Sequence, residues 1–194
     1  MDAADENRTI ELSMAELRLV ARYCVESAEE VLGLFESDRP DDRRPRAAVE
    51  AAWTFAAGAN RTKLQRVTAM DAHRAAKDAS TEVAKHAAHA AGDAASAAYL
   101  HPLAKATQVG HILRAAAHAA RAVELSASDE PGTGDRHIER ARQRATPGLA
   151  DVLARYPLAP TGKSRVAQLM NTLDAALRCP PTPPKRSGGS SGPI

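Results

Sequence analysis

The chain has 194 residues, of which 44% are hydrophobic and only 3% aromatic, a size that suits one domain and a composition that gives it a core of small side chains. Its 26 basic residues, mostly Arg, nearly cancel its 24 acidic ones and leave a net charge of +2. That balance argues against a nucleic-acid or membrane partner recruited by bulk charge.

About a fifth of the residues are Ala, the strongest helix former, and no segment alternates as a strand would. The expected fold class is all-α: a single-domain bundle of about six helices with a long central antiparallel hairpin. Residues 1–12 read as a polar arm and 13–178 as the bundle. From 179 to 194 the chain reads as a disordered tail rich in Pro, Gly and Ser.

The first helix opens at Ser13, with Glu16 completing a capping box. Leu17, Val20, Cys24, Ala28, Val31 and Phe35 recur at the helical period. The charged turn SDRPDDRRP ends it. Pro45 then suits the first turn of a second helix carrying Val49, Ala52, Trp53 and Ala56 and closed by Gly58.

A third helix starts near Thr62 and reads without a breaker to about Leu100, interrupted only by Gly92; a kink is compatible with its length. His101-Pro102 forces a turn. The fourth helix runs on to about Ser126, antiparallel to the third. After the loop SDEPGTGD, Asp135 is the expected cap of a fifth helix, kinked or split at Thr146-Pro147. Val166, Leu169, Met170, Leu173 and Leu177 define the last helix.

Gly162-Lys163-Ser164 matches the end of a phosphate-binding loop, but Pro157 occupies the position of the first glycine and no strand precedes it. The segment reads as a helix start with Thr161 or Ser164 as cap. Cys24 and Cys179 form neither a disulfide framework nor a metal motif. The opening MDAADENRTIELS lacks a hydrophobic leader and no run of about 18 apolar residues exists, so a cytoplasmic location is expected.

On a wheel of the third helix, Asp71, Asp78, Glu82, His86, His89 and Asp93 share one stripe. A stripe polar along its whole length reads as a solvent face. Its alternative is a metal site at His86, His89 and Asp93, whose spacing suits ligands. The opposite face carries Ala84, Ala87, Ala91, Ala95 and Ala98, and continues backward through Ser80, Lys77, His73 and Arg66. That change from Ala to polar residues marks either a helix leaving the core or a polar cleft for an anionic ligand.

On the fourth helix, Val109, Ile112, Leu113, Ala116, Ala120 and Val123 face inward. His111 and His118 lie opposite, on a solvated face or a partner surface. The basic run Arg136, His137, Arg140, Arg142 and Arg144 reads as a solvated face without aromatics for base stacking. No nucleophile has a His and a carboxylate in register, so no catalytic residue is identified.

The segments DDRRPRAAVEAAW, TAMDAHRAAKDASTEVAKHAAHAAGDAASAAYL and HPLAKATQVGHILRAAAHAARAVEL resemble the immunity proteins of bacterial polymorphic-toxin systems, in an Ala-rich, actinobacterial-type branch. The resemblance covers about residues 10 to 178. It implies a non-catalytic, cofactor-free protein that binds and neutralises a cognate toxin, through a surface that includes His111, His118, Arg43 and Arg44. The alternative is a helical bundle that binds a small molecule or metal, with or without enzymatic activity, and has its polar cleft on the third helix. Self-association through Ala-rich faces is a further expected contact.

Overall fold

The structure is a computed structural model that describes residues 8–130 and 132–179. Among these, eight α-helices follow one another and no strand forms: α1 Met14–Asp38, α2 Arg44–Ala56, α3 Lys63–Asp78, α4 Glu82–Ser96, α5 Gly110–Ser126, α6 Thr133–Arg144, α7 Pro147–Ala154 and α8 Arg165–Arg178. Short 3-10 turns at Ala97–Tyr99 and Ala106–Val109 flank the α4–α5 connection. The all-α class expected from the sequence is what forms, with two more helices than expected.

The alanines decide which helices are central. α4 packs against α1, α2, α3 and α5, and Ala84, Ala87, Ala88, Ala90, Ala91, Ala94 and Ala95 are buried around its circumference. Ala115, Ala116, Ala117, Ala119, Ala120 and Ala122 do the same for α5. Small side chains on the inner helices let backbones approach closely and maximise dispersion contacts. Larger groups close the core from other elements: Phe35 on α1, Phe55 on α2, Leu149 and Leu153 on α7, and Leu169 and Leu173 on α8. The faces expected to mediate self-association are thus covered by the chain's own helices.

Capping chemistry sets most boundaries. Ser13 and Glu16 form the capping box expected of α1. Thr62 and Gln65 form a second at α3; buried Gln65 also donates from Nε2 to the Ala51 carbonyl (3.2 Å), tying α3 to α2. Ser164 caps α8, its Oγ accepting from the Ala167 N–H at 3.2 Å, so Gly162-Lys163-Ser164 is a helix start.

Two expectations need correction. The long third helix is two helices. At Ala79 the backbone turns extended (ψ 142), and Thr81 caps α4 by accepting from the Ala84 N–H at 3.1 Å. The Ser80 N–H donates to Asp38 Oδ2 at 2.9 Å, fixing the turn to the end of α1. α3 therefore folds back on α4, and the central hairpin becomes three packed segments, α3, α4 and α5.

The cap of α6 is Gly132, in the left-handed region at φ 82, while Asp135 sits in the first turn and pairs with Arg165 at 2.9 Å. The break at Thr146-Pro147 is a split: Thr146 caps α7 and Pro147 opens it.

Of the expected arm, residues 1–7 lie outside the described residues. The segment that follows joins the body: Ile10 is buried, its N–H donates to the Pro102 carbonyl (2.9 Å), and Thr9 bridges Leu103. Residues 180–194 of the expected tail also lie outside the described residues. Among the described residues no helix is long and apolar enough to cross a membrane.

Candidate functional site

The break at 79–81 rearranges the sequence candidates. On one continuous helix His86, His89 and Asp93 would share a solvent face. With α3 folded back and α5 running antiparallel, the same residues face inward along a polar seam. His86, His89, Asp93 and Ser96 occupy positions i, i+3, i+7 and i+10 of α4, and His111, Arg114, His118 and Arg121 repeat that spacing on α5. One row steps forward as the other steps back. Ser96 Oγ lies 3.3 Å from His111 Nδ1, Arg114 Nε donates to Asp93 Oδ1 at 3.0 Å, and the His89 and His118 rings stack with centroids 4.9 Å apart.

α3 contributes His73 to the same cluster. Its Nδ1 lies 3.0 Å from His89 Nδ1, and His86 Nδ1 lies 2.8 Å from His118 Nδ1. Gly92 is required at this point. A Cβ there would lie 2.8–2.9 Å from three atoms of the His73 ring, so only a hydrogen leaves the imidazole room against α4.

Asp93 organises these rings. Its side chain is only 3% exposed, and its two oxygens face His73 Nε2 and His118 Nε2, each at 3.8 Å. At that separation the rings and the carboxylate interact through charge and not through a hydrogen bond, and in each Nδ1···Nδ1 contact one ring donates and the other accepts.

Burial pushes His89 down to about 4, helped by the neighbouring His73 and His86, and pushes His118 well below the usual imidazole range. Burial also lowers His86 and His111. The same burial raises the Asp93 carboxyl against the opposing pull of Arg114 and His73. At neutral pH His86, His89, His111 and His118 are therefore neutral imidazoles, each with a ring nitrogen able to accept a hydrogen bond. Asp93 Oδ2 has no hydrogen-bond partner, and a cavity of about 320 Å³ is lined by His73, His89, Asp93, Arg114 and His118.

The other sequence candidates lie elsewhere. Arg66, Lys77 and Ser80 are exposed and do not line that cavity, so His73 parts from them and joins the seam. Among the described residues no group of three or more His, Cys, Asp or Glu is placed to hold a metal ion; the rings of His86 and His89 are 6.4 Å apart. His118 turns inward and His111 is half-buried.

Arg44 is clamped between Asp42 (2.6 Å) and Asp78 (2.7 Å), whereas Arg43 is exposed. The basic run on α6 is not simply solvated. His137 is buried with Nε2 at 3.2 Å from Glu30, and Arg144 reaches Ser27 Oγ at 2.6 Å and pairs with Glu30. Cys24 donates to the carbonyls of His111 and Ile112, and burial drives its thiol far up, so it supplies no thiolate nucleophile.

Sequence reasoning missed one exposed feature. Leu64, Val67 and Met70 stand about half exposed, at 48%, 48% and 50%, along the outer side of α3. Their i, i+3, i+6 spacing is the available signal, interleaved with the polar residues of the same helix.

Residues 11–147, which run from before α1 to the start of α7, match the family model described as "Imm-5 like putative immunity protein". The chain belongs to the Imm-5 like family. The matched span of this Imm-5 like chain includes the whole histidine seam and the α3 stripe. No curated protein and no solved structure gives a match.

Proposed function

We propose that this protein acts by binding a cognate protein toxin and neutralising it, without chemistry of its own. The observation that carries this reading is the family match over residues 11–147. The structure supports it with a surface of the expected character. Leu64, Val67 and Met70 form an exposed apolar stripe on α3, with exposed Lys63, Arg66 and Arg74 beside it. An apolar centre with a charged rim is the usual anatomy of a protein interface. The mouth of the seam, with His73 and Arg114, and the turn carrying Arg43 and Arg44 are polar additions to that surface.

The test is co-expression with a candidate toxin taken from the neighbouring genes, scored by growth and by co-purification of a complex. Neutralisation predicts rescue by the native chain and loss of rescue in Val67→Asp and Met70→Asp, two exposed positions whose change leaves the helical circular dichroism intact. Toxicity unaffected by the native chain overturns the function. Rescue that survives both substitutions overturns the surface alone.

A further inference from the structure

α3 carries four cations, Lys63, Arg66, Arg74 and Lys77, against two carboxylates, Asp71 and Asp78. That surplus equals the net charge of +2 of the entire chain, so the remainder of the sequence sums to zero. Both carboxylates are already neutralised: Asp71 by Arg74 at 2.6 Å, and Asp78 by Arg44 of α2 at 2.7 Å. Lys63, Arg66 and Lys77 are exposed, and among the described residues none of these three side chains has an ion-pair or hydrogen-bond partner.

The helix wheel separates these groups into two edges. At about 100° per residue, Arg66 and Lys77 lie within about 40° of His73, on the edge that borders α4, where His73 meets His89. Asp71 and Asp78 lie on the other edge, where Asp78 meets α2. The exposed Leu64, Val67 and Met70 cross the face obliquely, from the α2 edge at Leu64 toward the α4 edge at Met70. They form one i±3 ridge, a row that packs into the groove between side-chain rows of another helix with the two axes about 20° apart. Arg66 and Lys77 are about 16 Å apart along the axis, so a helix packed in that way reaches both within about three turns.

We infer, resting on the toxin-binding reading above, that α3 receives an acidic amphipathic helix of the partner. Its apolar residues cover Leu64, Val67 and Met70, and its Asp or Glu side chains stand over Arg66 and Lys77. The ridge supplies the dry centre of the contact, and the unpaired cations set the partner's charge and orientation. A nucleic-acid backbone would satisfy the cations but set the apolar ridge against phosphates.

The test titrates the full ¹⁵N-labelled chain with three helical peptides of one length. The first carries a Leu stripe flanked by Glu, the second has Lys in place of Glu, and the third has Ser in place of Leu. Saturable shifts of α3 amides are expected with the first, which should bind about tenfold tighter than either of the others and lose affinity as salt rises. Arg66→Glu combined with Lys77→Glu, two exposed changes that leave the helical circular dichroism intact, should weaken that binding by about tenfold or more and favour the Lys peptide instead. Silence of α3 with the first peptide, equal binding of the Lys peptide, or equally strong α3 shifts with duplex DNA or phosphatidylglycerol vesicles overturns the proposal. In the co-expression assay, rescue that survives the double reversal but not Val67→Asp overturns the acidic partner and leaves neutralisation standing. Toxicity unaffected by the native chain overturns neutralisation, and the peptide titration still decides the surface.

Discussion

Gly92→Ala sets two effects of similar size against each other at the histidine seam. Replacing glycine inside a helix by alanine gains about 1 kcal/mol of helix propensity. The new methyl, however, would stand 2.8 Å from His73 Cε1 and 2.9 Å from both ring nitrogens, where carbon contacts prefer about 3.5–4.0 Å. The His73 side chain is 36% exposed, so its ring can swing toward solvent and relieve the overlap. Doing so breaks the 3.0 Å contact with His89, worth about 1 kcal/mol, and withdraws a ring from Asp93. If the ring is retained, the overpacking costs about 1–3 kcal/mol.

Either route offsets the propensity gain, so Gly92→Ala alone should leave stability unchanged or lower it. In a His73→Ala background nothing opposes the gain, and the same change should stabilise by about 1 kcal/mol, or about 2–4 °C in Tm for a chain of this size. A double-mutant cycle by urea unfolding should show a coupling of about 1–3 kcal/mol. Equal stabilisation by Gly92→Ala in both backgrounds would refute the claim that His73 occupies the space above Gly92.

The lowered histidines predict an acid-labile fold. Below about 6.5 an unfolded imidazole takes up a proton that folded His86, His89, His118 and His137 resist, so stability is present at neutral pH and is lost as pH falls toward about 4, where His89 and His137 titrate. Asp93, raised by burial beside Arg114 and His73, works in the opposite sense at the acid end. Tm measured between pH 7.5 and 4.5 should fall with a slope of more than one proton; a flat profile contradicts the neutral seam. Thr81→Ala removes the cap that starts α4 and should cost about 1 kcal/mol by denaturant titration, whereas no cost would mean that packing alone sets the break. Ala91→Leu should destabilise by about 1–3 kcal/mol through overpacking, while Ala154→Leu at an exposed position should stay within about 0.5 kcal/mol. Similar values at the two sites would contradict the close helix approach.

The helices with strong local signals were legible in the sequence. Ser13 with Glu16, the apolar row from Leu17 to Phe35, the Pro45 start and the Leu169–Leu177 period all report forces acting within one helix. What stayed hidden was decided between helices. Ala79-Ser80-Thr81-Glu82 holds an N-cap signal, but every residue in it also tolerates a continuous helix, and only the packing of α3 back on α4 selects the break. Once that break is missed, the wheel assigns His86, His89 and Asp93 to water. The matching spacing of the polar rows on α4 and α5 was present in the sequence. So were the paired AAHAA segments, centred on His89 and His118, the two rings that stack in the fold. Reading them as a seam requires knowing that both helices are lined by alanine and lie side by side.

The inner face of α3 consists of Gln65, Thr68, Ala69, Ala72, Ala75 and Ala76, while α1 buries Leu17, Val20, Val31, Leu32 and Phe35. Little apolar area therefore anchors α3, and detaching it exposes less than detaching any helix that carries Leu and Phe inward. Amide hydrogens of α3 should exchange with solvent well before those of α1. The helix with the exposed apolar stripe thus turns its larger apolar side chains outward and its small ones inward, so a partner seated on α3 would cover apolar area that the bundle itself leaves to solvent.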